Sequence, residues 1–181
     1  MAITLVLGGA RSGKSAFAEN LAHASTLPVT YIATGLAGDA EMTARILQHR
    51  AHRPAHWRTV EAPLALADAL EAHAAIGGCV LVDCLTLWLT NSLFPSADFE
   101  SNRPLAQELP ARAAIFLIAI EKSLGPVVVV SNEIGLGVIP MGRPTREFVD
   151  TLGRLNQDVA QVCERVTLMA AGLPLTLKGQ P

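Results

Sequence analysis

The sequence predicts an α/β fold: a three-layer sandwich built on a mostly parallel central sheet. Short β-rich apolar runs alternate with longer segments whose apolar residues recur every three or four positions, which is typical of consecutive βαβ units. The apolar runs are continuous rather than alternating in polarity, as expected of strands that are covered on both faces. In addition, the first run leads directly into a glycine-rich loop, "GGARSGKS", which is followed by a helical pattern.

The elements follow in order along the chain. Five apolar runs predict strands beginning at Ile3, Val29, Cys79, Pro126 and Arg165. Helices are predicted in "KSAFAENLAHA", "GDAEMTARILQHR", "LALADALEAHAA", "ARAAIFLIAIEKSLG" and "TREFVDTLGRLNQDVAQVCE". Near the end, "LPLTLK" predicts a C-terminal edge strand. The stretch from Pro95 to Pro110 is rich in proline and polar residues and predicts a loop.

Length and composition predict one domain spanning residues 1–181. Half of the residues are apolar, yet no uninterrupted apolar run approaches the roughly 20 residues of a membrane span, and no basic segment typical of a signal peptide precedes the first strand. The three cysteines lack disulfide-framework or zinc spacing, and the net charge of −2 favours neither nucleic acid nor anionic lipid as a partner. We therefore expect a cytoplasmic protein with no nucleic-acid partner.

The glycine-rich loop carries the strongest functional signal. Gly8, Gly13, Lys14 and Ser15 fit G-x-x-x-x-G-K-[ST] between a predicted strand and a predicted helix. Glycines let backbone N–H groups surround phosphate oxygens, while the lysine reaches the β- and γ-phosphates and the serine binds Mg²⁺. The sequence therefore predicts a P-loop NTPase domain of the RecA-like type that binds a nucleoside triphosphate.

Polar residues follow two further predicted strands. Asp83 ends "VLVD", the position of the acidic metal ligand of P-loop enzymes; the alternative, that this aspartate caps the next helix, is less favoured. Asn132 and Glu133 end "VVVVSNE" and either face the ligand crevice or cap the following turn.

The stretch "EMTARILQHRAHRPAHWRTVE", residues 41–61, is unusual for a simple ATPase. Arg45, His49 and Arg53 fall on one face of a helical wheel, although Pro54 predicts that the helix ends before Arg53. Guanidinium groups bind phosphates bidentately, and their charge favours the neutral, nucleophilic form of a nearby imidazole.

A packing role for His49 competes with that reading. Met42, Ile46 and His49 share one helical stripe, and spacing alone slightly favours a histidine that only packs. His52 and His56 lack the cysteine or well-spaced acid that would indicate a metal centre.

Five segments together resemble a known family. "GGARSGKS", "YIATG", the 41–61 stretch, "VLVDCLTLWLTN" and "VVSNEIGLGVIPMGRPTREFVDTLGRLNQDVA" follow, in order, the pattern of the bifunctional adenosylcobinamide kinase/adenosylcobinamide-phosphate guanylyltransferases of cobalamin biosynthesis. The resemblance runs from about residue 3 to 171, and it implies two reactions. The aminopropanol hydroxyl of adenosylcobinamide takes the γ-phosphoryl of ATP or GTP, and the product then takes GMP from a GMP-histidine, giving adenosylcobinamide-GDP and pyrophosphate.

The resemblance also assigns residues. It places the nucleophile on His49 and keeps Lys14 as a catalytic residue, with Mg²⁺ held by Ser15 and Asp83. Nucleotide contacts fall on Gly8, Gly9, Ala10, Arg11, Ser12, Gly13, Lys14, Ser15, Ala33, Thr34, Gly35, Arg50, Ala51, His52, Arg53, Glu61 and Asp83. It further implies a homo-oligomer, a trimer. Two other functions stay open from the residues themselves: a small-molecule kinase of another pathway, and a non-catalytic nucleotide-binding module.

Overall fold

The computed structural model describes residues 2–37, 40, 43–44, 46–47, 50, 53–94 and 103–180. A seven-stranded sheet runs through them in the order β3-β2-β4-β5-β1-β6-β7. The strands are β1 (Ile3–Gly8), β2 (Val29–Ala33), β3 (Arg58–Glu61), β4 (Cys79–Asp83), β5 (Val127–Asn132), β6 (Arg165–Ala170) and β7 (Leu173–Lys178). All pairings are parallel except that of β6 with β7. The predicted α/β class, the mostly parallel sheet and the C-terminal edge strand are confirmed.

Helices cover both faces of the sheet and complete the three layers. They are α1 (Lys14–Ala24), α2 (Leu66–His73), α3 (Leu85–Leu93), α4 (Arg103–Glu121) and α5 (Arg143–Val162). Helix α1 packs on one face, where Val6, Tyr31 and Val130 are buried around Ala18 and Ala22. The other four helices pack on the opposite face in a larger apolar core. The three-layer α/β sandwich predicted from the sequence is therefore the observed architecture.

The register of the parallel strands brings their carboxyl ends to one edge. Gly8 pairs with Asn132, and Ala33 pairs with both Glu61 and Asp83. Every predicted strand-end residue therefore lies along the edge from which the P-loop departs.

Two elements differ from the sequence expectation. The stretch from Pro95 to Pro110 was predicted as a loop, but α4 already begins at Arg103 and contains Pro110. Burial of Leu109 and Phe116 in the core stabilises the helix despite the missing proline N–H. Strand β3 was not predicted, because its four residues are largely exposed and carry no apolar run.

Two findings concern the remaining stretches. Of the helix predicted over residues 38–50, the structure describes 40, 43, 44, 46, 47 and 50, all helical. Among the described helices, none is both long and apolar enough to cross a bilayer.

Candidate nucleotide-binding site

The P-loop joins the buried strand β1 to helix α1. Gly13 adopts φ 90° and ψ 4° as the N-cap residue of α1, and Arg11 is also left-handed at φ 56°. The Lys14 ammonium donates a hydrogen bond to the carbonyl oxygen of Gly9 at 3.1 Å, within the loop itself. The Ser12 hydroxyl is buried and has no hydrogen-bond partner in the described part of the chain. A buried orphan hydroxyl and a left-handed turn at a helix N-terminus together suit an incoming phosphate.

Asp83 lies at the end of β4 and is tied to the neighbouring strand. The Tyr31 hydroxyl donates a 2.8 Å hydrogen bond to its Oδ2 atom. Burial, together with the negative charge of Asp83, raises the pKa of Tyr31 far above its usual value, so the phenol keeps its proton. Among the described residues, Tyr31 is the only hydrogen-bond partner of this carboxylate. Its other oxygen, Oδ1, is therefore available to a cation.

Two arginines reach the same edge from the 41–61 stretch. Arg50 forms an exposed ion pair with Glu61, the last residue of β3. The Arg53 guanidinium carbon lies 3.4 Å from the centroid of the Tyr31 ring, a close cation–π contact. Its Nε and Nη1 atoms are buried without a hydrogen-bond partner in the described part of the chain. These N–H groups are donors with no acceptor, which suits an anionic ligand.

A hydrogen-bond network fixes the backbone beside Asp83. The Thr34 hydroxyl donates to the carbonyl oxygen of Cys84 at 2.7 Å and accepts from the Cys84 N–H at 2.8 Å. Asn91, on α3, donates to the carbonyl oxygens of Thr34 at 2.7 Å and Pro63 at 3.1 Å. The turns that follow β2 and β4 are therefore joined to each other and to α3.

Asn132, the last residue of β5, and Glu133, which follows it, both have defined hydrogen-bond partners. The Asn132 N–H donates to the Thr86 hydroxyl at 2.9 Å, and Glu133 accepts from the Gly135 N–H at 2.6 Å. Of the two alternatives for Glu133, the structure has the one that stabilises the following turn.

The structure thus brings most of the predicted site residues to one edge. These are Gly8 to Ser15, Ala33, Thr34, Gly35, Arg50, Arg53, Glu61 and Asp83. Their contacts with nucleotide stay predictions. His49, Ala51 and His52, together with Arg45, lie outside the described residues.

Sequence reasoning missed Tyr31 and Asn91. Tyr31 lies inside a β-rich run, where an aromatic residue is expected only to pack. The available signal was its position two residues before the end of the strand, close to the edge of the sheet that carries Asp83. Asn91 gave the weaker signal of a polar side chain at a buried helix face.

Comparisons with known proteins agree with this architecture. The chain matches the cobinamide kinase / cobinamide phosphate guanyltransferase family over residues 4–177. It is 54% identical over 177 residues to the bifunctional adenosylcobalamin biosynthesis protein CobP of Pseudomonas aeruginosa, covering 98% of each chain. It is 39% identical over 179 residues to the bifunctional adenosylcobalamin biosynthesis protein CobU of Escherichia coli K12, covering 96% of this chain and 98% of the relative.

Among solved structures, a Pyrococcus horikoshii OT3 protein covers 99% of this chain and 87% of its own at TM-score 0.52 and 10% identity, which supports the fold alone. The match over residues 4–177 and the near-complete coverage of both relatives extend well beyond a shared P-loop. The chain belongs to the cobinamide kinase / cobinamide phosphate guanyltransferase family.

Proposed function

We propose that this protein carries out both family reactions at the edge described above. It phosphorylates the aminopropanol hydroxyl of adenosylcobinamide with ATP or GTP, and it then transfers GMP from GTP to the resulting phosphate. The observation that carries the proposal is the convergence of the P-loop, Asp83, Arg50 and Arg53 on one edge of the sheet. The guanylyl step also needs a separate nucleophile, for which a simple NTPase would have no use.

In the kinase step, the loop positions the triphosphate and Lys14 neutralises its charge. Ser15, at the start of α1, and Asp83 would hold Mg²⁺. The Oδ1 atom of Asp83, which has no hydrogen-bond partner among the described residues, is the kind of hard oxygen ligand that this ion prefers. Bound there, Mg²⁺ would neutralise the charge that develops between the β- and γ-phosphates. The substrate hydroxyl attacks the γ-phosphorus, and the nucleoside diphosphate leaves.

In the guanylyl step, a histidine nitrogen attacks the α-phosphorus of GTP. A nitrogen–phosphorus bond forms, the bond between the α-phosphorus and the bridging oxygen breaks, and pyrophosphate leaves. A phosphate oxygen of adenosylcobinamide phosphate then attacks the same phosphorus and releases the histidine. His49 is the proposed nucleophile, and Arg50 and Arg53, which follow it in sequence, would stabilise the phosphate charge.

Intact-protein mass spectrometry after incubation with GTP and Mg²⁺ tests the transferase. We expect an acid-labile GMP adduct on wild type and none on His49→Ala, with part of the kinase activity retained. His56→Ala is the matched control, because His56 is an exposed histidine of the same stretch and should keep the adduct. An adduct that persists on His49→Ala would refute the assignment. No adduct on wild type would leave only a P-loop kinase.

The proposal extends to the assembly and its compartment. One loop carries four apolar residues that are 77–97% exposed: Leu136, Val138, Ile139 and Met141. Exposure of so much apolar surface to water is unusual for an isolated chain. We propose that a homotrimer covers it and forms part of the cleft for the large corrin substrate. Light scattering at micromolar concentration should give three times the chain mass, and a clean monomer would refute this.

The free thiols of Cys79, Cys84 and Cys163 support a cytoplasmic location.

A further inference from the structure

Tyr31 is a buried polar residue that neither proposed reaction uses directly. It is 2% exposed in the middle of β2, where phenylalanine would fill the same volume. Its hydroxyl nevertheless reaches across to the adjacent strand, where it donates to Asp83 Oδ2 at 2.8 Å. The hydroxyl therefore has a defined acceptor, and that acceptor is the carboxylate proposed to bind the metal.

The ring of Tyr31 makes a second contact, with a different segment. The central carbon of the Arg53 guanidinium lies 3.4 Å from the ring centroid. Nε and Nη1 of Arg53 are buried and unpartnered in the described part of the chain, so the contact with the ring contributes to holding this cation in place. One side chain thus contacts both an anion and a cation of the site.

We propose that Tyr31 is a positioning residue that couples the metal-binding carboxylate to the phosphate-binding arginine. The hydroxyl fixes Oδ2 of Asp83, so that Oδ1 faces the cation. The ring holds Arg53, so that Nε and Nη1, unpartnered in the described part of the chain, can donate to phosphates of the same nucleotide. This inference rests on the proposed Mg²⁺–nucleotide site and adds a residue to it.

Removal of the hydroxyl alone tests the proposed link between Tyr31 and Asp83. Tyr31→Phe keeps the ring, so we expect its affinity for the metal-free α,β-methylene analogue of GTP to stay within twofold of wild type. We expect the gain in affinity on adding Mg²⁺, measured by titration calorimetry, to fall about tenfold, because one hydrogen bond to the carboxylate is lost. Equal losses with and without Mg²⁺ would overturn the inference.

A double-mutant cycle separates positioning from packing. In an Asp83→Asn background, Tyr31→Phe should cause no further loss of the Mg²⁺ effect, because the group through which it acts is already changed. Tyr31→Leu also removes the ring and should weaken metal-free binding, as Arg53→Lys should, since lysine does not stack in this way. An undiminished effect of Tyr31→Phe in the Asp83→Asn background would contradict the proposed coupling.

The chain itself offers a readout that needs no substitution. Tyr31 is its single tyrosine, so biosynthetic incorporation of 3-fluorotyrosine places fluorine at this residue alone. We expect the ¹⁹F resonance to shift when Mg²⁺ is added to the analogue-bound protein, and to stay in place in Asp83→Asn. An unmoved wild-type resonance, while Mg²⁺ still tightens nucleotide binding, would refute the coupling. No effect of Mg²⁺ on nucleotide binding in wild type would instead refute the proposed metal site.

Discussion

Replacement of Gly13 by alanine is the most direct test of the P-loop geometry. Gly13 has φ 90°, where an L-residue is strained by about 1–2 kcal/mol. An added Cβ would lie 3.3 Å from the Cα of Gly172, in the turn between β6 and β7, whose N–H donates to the Ser12 carbonyl oxygen at 3.0 Å. The loop and the turn would have to separate by a few tenths of an ångström. We expect Gly13→Ala to lower the free energy of unfolding by about 2 kcal/mol and Tm by roughly 4–8 °C.

Gly77→Ala is the matched control. Gly77 has a similar φ of 82°, but an added Cβ would meet nothing within 4 Å, and the residue precedes β4, at the opposite edge of the sheet from the P-loop. Its free energy of unfolding should therefore fall only by the backbone strain, about 1–2 kcal/mol, and it should bind nucleotide as wild type does. Urea unfolding measures the stability of both variants, and calorimetry with the α,β-methylene analogue of GTP measures binding. We expect Gly13→Ala to bind at least about tenfold more weakly. Nucleotide affinity within twofold of wild type would refute the assigned role of this glycine.

Three further predictions concern stability, each measured by urea unfolding. Pro110→Ala should stabilise the protein by about 1–3 kcal/mol, because it restores an N–H inside α4; an unchanged midpoint would show that the helix accommodates the ring without cost. Asn91→Ala should destabilise it by about 1–3 kcal/mol, because the buried carbonyl oxygen of Thr34 loses its donor; a loss below 0.5 kcal/mol, on the order of a surface substitution, would contradict this. Burial raises the pKa of the Cys84 and Cys163 thiols from 9.0 to about 12. The unfolded chain therefore releases these protons first, so stability should be nearly constant below about pH 8 and fall above it, by about 1.4 kcal/mol per thiol at pH 10. A flat profile between pH 8 and 10 would count against buried, protonated thiols.

The parts of the site that are local in sequence were predictable. Gly8 to Ser15 form one contiguous motif, and Asp83 ends an apolar run whose length alone indicates a buried strand. Both signals need no knowledge of what packs against them. The same is true of β7, which the run "LPLTLK" indicates without reference to its neighbours.

The contacts that unite the site were not predictable in this way. The hydrogen bond from Tyr31 to Asp83 joins residues 52 apart, and it depends on β2 and β4 lying side by side. That adjacency follows from the strand order, which no local pattern encodes. The prediction of a loop up to Pro110 was wrong for the opposite reason. Local propensity favoured a loop, but burial of the neighbouring apolar stripe stabilises a helix.

The two arginines at this edge are not equivalent. Arg50 is exposed and already paired with Glu61, so an incoming phosphate would have to compete with a carboxylate that water also solvates. Arg53 is held against Tyr31 with two buried nitrogens, Nε and Nη1, unpartnered in the described part of the chain, a state that is unfavourable until an acceptor arrives. A phosphate oxygen that accepts from those groups would satisfy them without breaking an existing bond. Arg53, rather than Arg50, should therefore contribute the larger share of phosphate affinity, and Arg50 should respond mainly to changes at Glu61.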